Sequence, residues 1–174
     1  MIGIPPDMNL ERDGAMILEG SCHCGSVRCS LNSRTPYPYM RCYCSICRKT
    51  AGGGGYAINI MGEAASLSIE GGHHVSVYQA RRGGGDTLST ARRHFCGRCG
   101  SALWVSDPAW PDLVHPVASA IDTELPRPPE RVHIMVGSAA SWVEVAQRAE
   151  DNRFPEYPED SIETWHRTRG LTVE

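Results

Sequence analysis

The stretch FCGRCG, residues 95–100, decides how this chain reads. A Cys-x-x-Cys followed by glycine is a metal knuckle, in which a tight turn aims two thiolates at one ion. Gly97 and Gly100 are expected to let the backbone take positive φ there. A knuckle supplies two ligands, so Cys96 and Cys99 need two more. CHC, residues 22–24, offers them. Positions i and i+2 of an extended chain point the same way, so Cys22 and Cys24 can face one ion together. The two pairs make a closed four-cysteine site joining distant parts of the chain.

A third cluster, CYCSIC (42–47), holds Cys42, Cys44 and Cys47. Cys42 and Cys44 share a face if extended, and a turn can return Cys47 to them. Three thiolates leave a fourth position open, as in metal sites that do chemistry. Two other readings stand beside this one. The triplet could be a second structural site completed by Cys29, His94 or His115, or a group of redox-active thiols without metal. Cys29 lies in SVRCSL (26–31), where it alternates with Val27 and Leu31, so it reads as a small core residue.

The chain has 174 residues, enough for one domain with a core, and a formal net charge of -3. No broad basic balance suits nucleic acid or an anionic membrane, and the run ARRHF is too short to change that. The opening MIGIPPDMNLERDG lacks the pattern of a secretory signal. The expected location is the cytoplasm, where eight cysteines read as metal ligands or reactive thiols rather than disulfides.

Short strands cut by breakers dominate the pattern. Residues 26–31, 56–60, 66–70, 75–80, 102–106, 114–119, 131–136 and 142–146 read as strands. SICRKTA (45–51) and DSIETWHR (160–167) read as short helices, the second capped by Asp160 or Ser161. The expected fold class is mainly β. The expected division is an N-terminal arm at 1–16, a zinc-binding domain at 17–149 and a C-terminal arm with a short helix at 150–174. Trp104, Trp110 and Trp142 are expected in the core or a pocket wall. The run GGGG (52–55) reads first as a turn before a strand, and second as a place for backbone amides to approach a carboxylate.

GSCHCGSVRC, RCYCSICRKTAGG, RHFCGRCGSALW and the late HIMVGSAASWVEV together resemble the family of glutathione-dependent formaldehyde-activating enzymes, whose domain also occurs in centromere protein V. The resemblance runs from about Glu19 to Val145. It implies an Mss4-like folded β-sheet, the β-tent, pinned by zinc. It implies one structural zinc on Cys22, Cys24, Cys96 and Cys99, and a catalytic zinc on Cys42, Cys44 and Cys47. It implies condensation of glutathione with formaldehyde to S-hydroxymethylglutathione, classed in reverse as a carbon–sulfur lyase reaction. Glutathione is anionic, so Arg48 and Lys49, directly after Cys47, are the candidate contacts for it; their other reading is a solvated helix face. Many members carry Cys-His-Cys where this chain has Tyr43 between Cys42 and Cys44. The non-enzymatic alternatives are a β-tent zinc module that binds a partner, and a thiol redox or metal sensor.

Overall fold

A computed structural model describes residues 15–81, 85–128, 130–146 and 148–171. The N-terminal arm expected at 1–16 lies almost wholly outside them. In chain order the strands are β1 (Met16–Ser21), β2 (Arg28–Ser33), β3 (Met40–Cys42), β4 (Ala57–Asn59), β5 (Gly62–Glu63) and β6 (Ser68–Glu70). They continue as β7 (Val75–Arg81), β8 (Leu88–Cys96), β9 (Ala102–Ser106), β10 (Leu113–Pro116), β11 (Val132–Ile134) and β12 (Asn152–Arg153). Two α-helices accompany them, α1 (Ser45–Ala51) and α2 (Ile162–Thr168). The mainly β class holds, in the Mss4-like folded arrangement. None of the described helices is long and apolar enough to cross a membrane.

The strands form three sheets, ordered β1-β2-β6, β5-β10-β9-β8-β7 and β12-β11-β3-β4. Pairings are antiparallel except β11 with β3 and β11 with β12. The alternation in SVRCSL works as expected: Val27, Cys29 and Leu31 turn inward. β1 packs Met16 and Leu18 into the same layer, joined by Ile60, Leu103 and Trp104. Each such side chain fully buried is worth about 1.5–3 kcal/mol. A second, smaller cluster gathers Cys42, Cys47, Ala57, Val132 and Ile134 under the third sheet.

Two expectations change. WVEVA (142–146) forms no strand; it is a turn running into loop, with Trp142 exposed at 66% rather than in the core. Among the described residues no strand pairs with this segment to take its backbone groups. The stretch expected to be a C-terminal arm does carry the short helix, with Ser161 accepting from the Thr164 amide at 3.1 Å. It also adds β12 to the third sheet and lays Phe154 and Trp165 on the smaller cluster.

Candidate metal centres and substrate cleft

Cys22, Cys24, Cys96 and Cys99 come together with their sulfurs all within 4.8 Å of one another. A tetrahedral set at a zinc–sulfur length of about 2.3 Å spaces its sulfurs about 3.8 Å apart. Cys22 to Cys24 is 3.5 Å and Cys24 to Cys96 is 3.9 Å, so this all-sulfur set fits such an ion. Two turns build it. The amide of Gly25 donates to the Cys22 carbonyl at 2.9 Å, and that of Gly100 to the Cys96 carbonyl at 2.8 Å. Gly100 takes φ +77°, as expected; Gly97 does not take a positive φ. Its lack of a side chain serves close approach instead, since a Cβ there would meet the Ser76 hydroxyl at 2.7 Å. Hydrogen bonds from Ser101 hold Cys99 down at about 5, and Ser26 draws Cys24 down. These thiols are poised to bind as thiolates.

The triplet is built locally. Cys42 ends β3, and Cys44 caps α1 by accepting the Cys47 amide at 3.3 Å. Three residues on, the helix returns Cys47 to the same face. The three sulfurs lie within 4.8 Å of one another, so they too could hold a metal ion. Cys44 ionises first, because hydrogen bonds from Cys42 and Cys47 draw its pKa far down. Contacts with Cys44 and then Cys47, followed by burial, push Cys42 up. For Cys47 the contact with Cys42 pulls down, but Cys44 and burial outweigh it and leave the thiol raised. Such a cluster carries one negative charge readily and resists more, which is the demand a cation satisfies.

None of the candidates for a fourth ligand joins the three sulfurs, although His94 lines the same cleft as Cys47. Cys29 is in the main core, where burial pushes it up to about 11. His94 stacks on Trp104 at 5.0 Å and bonds the Ser106 hydroxyl through Nε2 at 3.0 Å. His115 places Nδ1 3.1 Å from the Ile60 carbonyl. Among the described residues the triplet stays at three.

Tyr43 points away from the triplet. It is buried, and its hydroxyl lies 2.8 Å from His133 Nδ1. On the far side His133 Nε2 is 3.4 Å from the Asp151 carboxylate. Burial lowers the His133 pKa, so the ring is neutral. Nε2–H then donates to Asp151 and Nδ1 accepts from Tyr43. Tyr43 thus anchors the end of β3 to β11 and to the segment at 151.

Beside Cys47 opens a cleft of about 390 Å³. Neither Arg48 nor Lys49 is among its lining residues. Lys49 is exposed on α1, and Arg48 is half-buried with Nε enclosed. The cation in the cleft is Arg93, on β8. Its charge reaches Cys47 and favours the thiolate there. Neither Arg93 nor the strand that carries it was marked by the sequence pattern. The available signal was the position of Arg93 three residues before Cys96. Tyr157 also stands close to the triplet: desolvation first, and the three thiols next, raise its phenol pKa. The tetraglycine run makes the turn before β4, with Gly55 at φ +89°. A Cβ on Gly55 would strike Val143 at 2.2 Å.

The family model for the glutathione-dependent formaldehyde-activating enzyme matches residues 17–142. The chain belongs to that family. A Halomonas elongata protein, provisionally named a glutathione-dependent formaldehyde-activating enzyme, is 60% identical over 156 residues. That match covers 90% of this chain and 98% of the relative. The crystal structure of a Rhodobacter sphaeroides protein aligns with a TM-score of 0.50 at 25% identity. It covers 63% of this chain and 92% of that one.

Proposed function

We propose that this protein condenses glutathione with formaldehyde to S-hydroxymethylglutathione, and cleaves that carbon–sulfur bond in reverse, as a zinc-dependent enzyme of the cytoplasm. The observation that carries this reading is the triplet of three sulfurs with no fourth protein donor among the described residues, opening beside a cleft. The family membership and the name of the Halomonas relative support the same activity.

Cys42, Cys44 and Cys47 would hold the catalytic zinc, and Cys22, Cys24, Cys96 and Cys99 a structural one. Zinc bound to three thiolates supplies Lewis acidity and a site where an incoming thiol loses its proton. The chain's own part is to shape the approach. Cys44 and Cys47 are fixed on one helical turn, so with Cys42 they would hold an ion in one place beside the cleft. Arg93 places positive charge beside it, favouring thiolate over thiol. Arg48 and Lys49, on α1, are left to contact the parts of glutathione outside the cleft. A partner-binding module or a sensor would instead need a closed second site or an easily formed disulfide. Cys29, His94 and His115, the residues that could close it, hold other contacts, and none joins the three sulfurs.

The test is a calorimetric titration of glutathione into protein loaded with zinc at both groups, with Cys47→Ser as control. Saturable binding that vanishes in the variant is expected. Equal binding to both proteins, or none to either, would overturn glutathione as the thiol.

A further inference from the structure

Arg93 has an unmet requirement. Its Nε and one of its terminal nitrogens are shut off from solvent and have no hydrogen-bond partner among the described residues. A guanidinium cannot shed its proton to escape that position. Its charge faces Cys47, but these two enclosed N–H groups have no acceptor, which is costly, so the site calls for an anion that can take them. The sheet fixes where that anion would lie. Tyr78, Arg93 and Val105 stand directly opposite one another across β7, β8 and β9. Directly opposed residues share a face, and all three line the cleft beside Cys47.

The rest of the lining sets the character of the occupant. Ala57, Phe95, Ala102, Trp104, Val105 and Val117 make an apolar wall. Among the described residues no carboxylate lines the cleft, and His94 is neutral because burial lowers its pKa. A volume of about 390 Å³ lies within the small-molecule pocket range of about 300–1,000 Å³. Formaldehyde, with one carbon, would leave most of it empty. Glutathione carries two carboxylates and an ammonium group, which suit a wall with one cation poorly.

We propose that this cleft binds an apolar monocarboxylate, with its carboxylate on Arg93 and its hydrocarbon or aromatic body on the sheet. This rests on the reading of the triplet as a centre for thiol–carbonyl adducts, and it adds to formaldehyde a second class of carbonyl partner: an aldehyde or ketone bearing an apolar body and one acidic group. The reaction is the same in kind. The thiol sulfur bonds the carbonyl carbon, the carbonyl π bond breaks, and the thiol proton ends on the new hydroxyl. Arg93 is then a specificity-determining residue.

The test uses 3-phenylpropionate and its neutral analogue 3-phenylpropionamide, titrated calorimetrically into the zinc-loaded protein without any thiol. The acid should bind saturably and the amide about tenfold or more weaker. Arg93→Gln should bring the acid down to the amide's affinity, and Ala102→Leu, which fills the cleft, should weaken both. Equal affinity for acid and amide, no binding of either, or acid binding untouched in a folded Arg93→Gln protein would overturn the proposal. The last result would place the acid on the metal alone. If Arg93→Gln does not fold, the acid-to-amide ratio in the unaltered protein decides. Since no thiol is present, a failed glutathione titration leaves this result standing, and the reverse holds too.

Discussion

The two cysteine groups are built in opposite ways. The group of four draws one pair from residues 22–24 and the other from 96–99, and so ties β1 and the loop after it to the end of β8. The group of three comes from six consecutive positions around the start of α1. A cross-link between distant segments constrains the whole chain. A local one constrains little beyond its own turn, and so is free to serve chemistry. Surroundings differ in the same sense. Cys24 and Cys99 face solvent in a tight pair of turns, whereas the triplet borders a cleft holding a guanidinium with two enclosed nitrogens.

The largest effect expected from this contrast is at the closed group. Structural zinc binding is worth on the order of 10 kcal/mol, nearly all of it folding energy. Cys99→Ser should therefore lose cooperative thermal unfolding and native circular dichroism. A variant with an unchanged melting temperature would break the assignment of these four residues as a clamp.

A smaller effect is expected behind the triplet. Tyr43→Phe leaves His133 Nδ1 buried without its partner, and should cost about 1–3 kcal/mol in denaturant unfolding. Metal content should stay as it was, because Tyr43 faces the sheet and not the sulfurs. Loss of one metal ion, with stability unchanged, would show that Tyr43 acts on the metal side.

Much of this contrast was legible in the chain itself. Spacing alone sorted the cysteines, since i, i+2 and Cys-x-x-Cys patterns act over one turn. Cys29 was readable as core from its alternation with Val27 and Leu31, and α1 and α2 from their local patterns. The cleft was not legible. Its key strand, β8, carries polar residues on both faces because one face lines a cavity, so LSTARRHFC shows no clean period of two. Two further strands, β5 and β12, span only two residues each, too short to show any period. The Tyr43–His133–Asp151 chain joins residues 90 and 18 positions apart, which pattern reading does not reach. WVEVA misled because alternation cannot supply a neighbouring strand.

The most direct measurement is metal stoichiometry per folded chain in the unaltered protein and in Cys47→Ser, with the melting temperature of each. The expected result is two zinc ions falling to one, with the melting temperature nearly unchanged. Two ions retained in the variant, or unfolding along with the loss, would contradict the division into a closed structural group and an open reactive one.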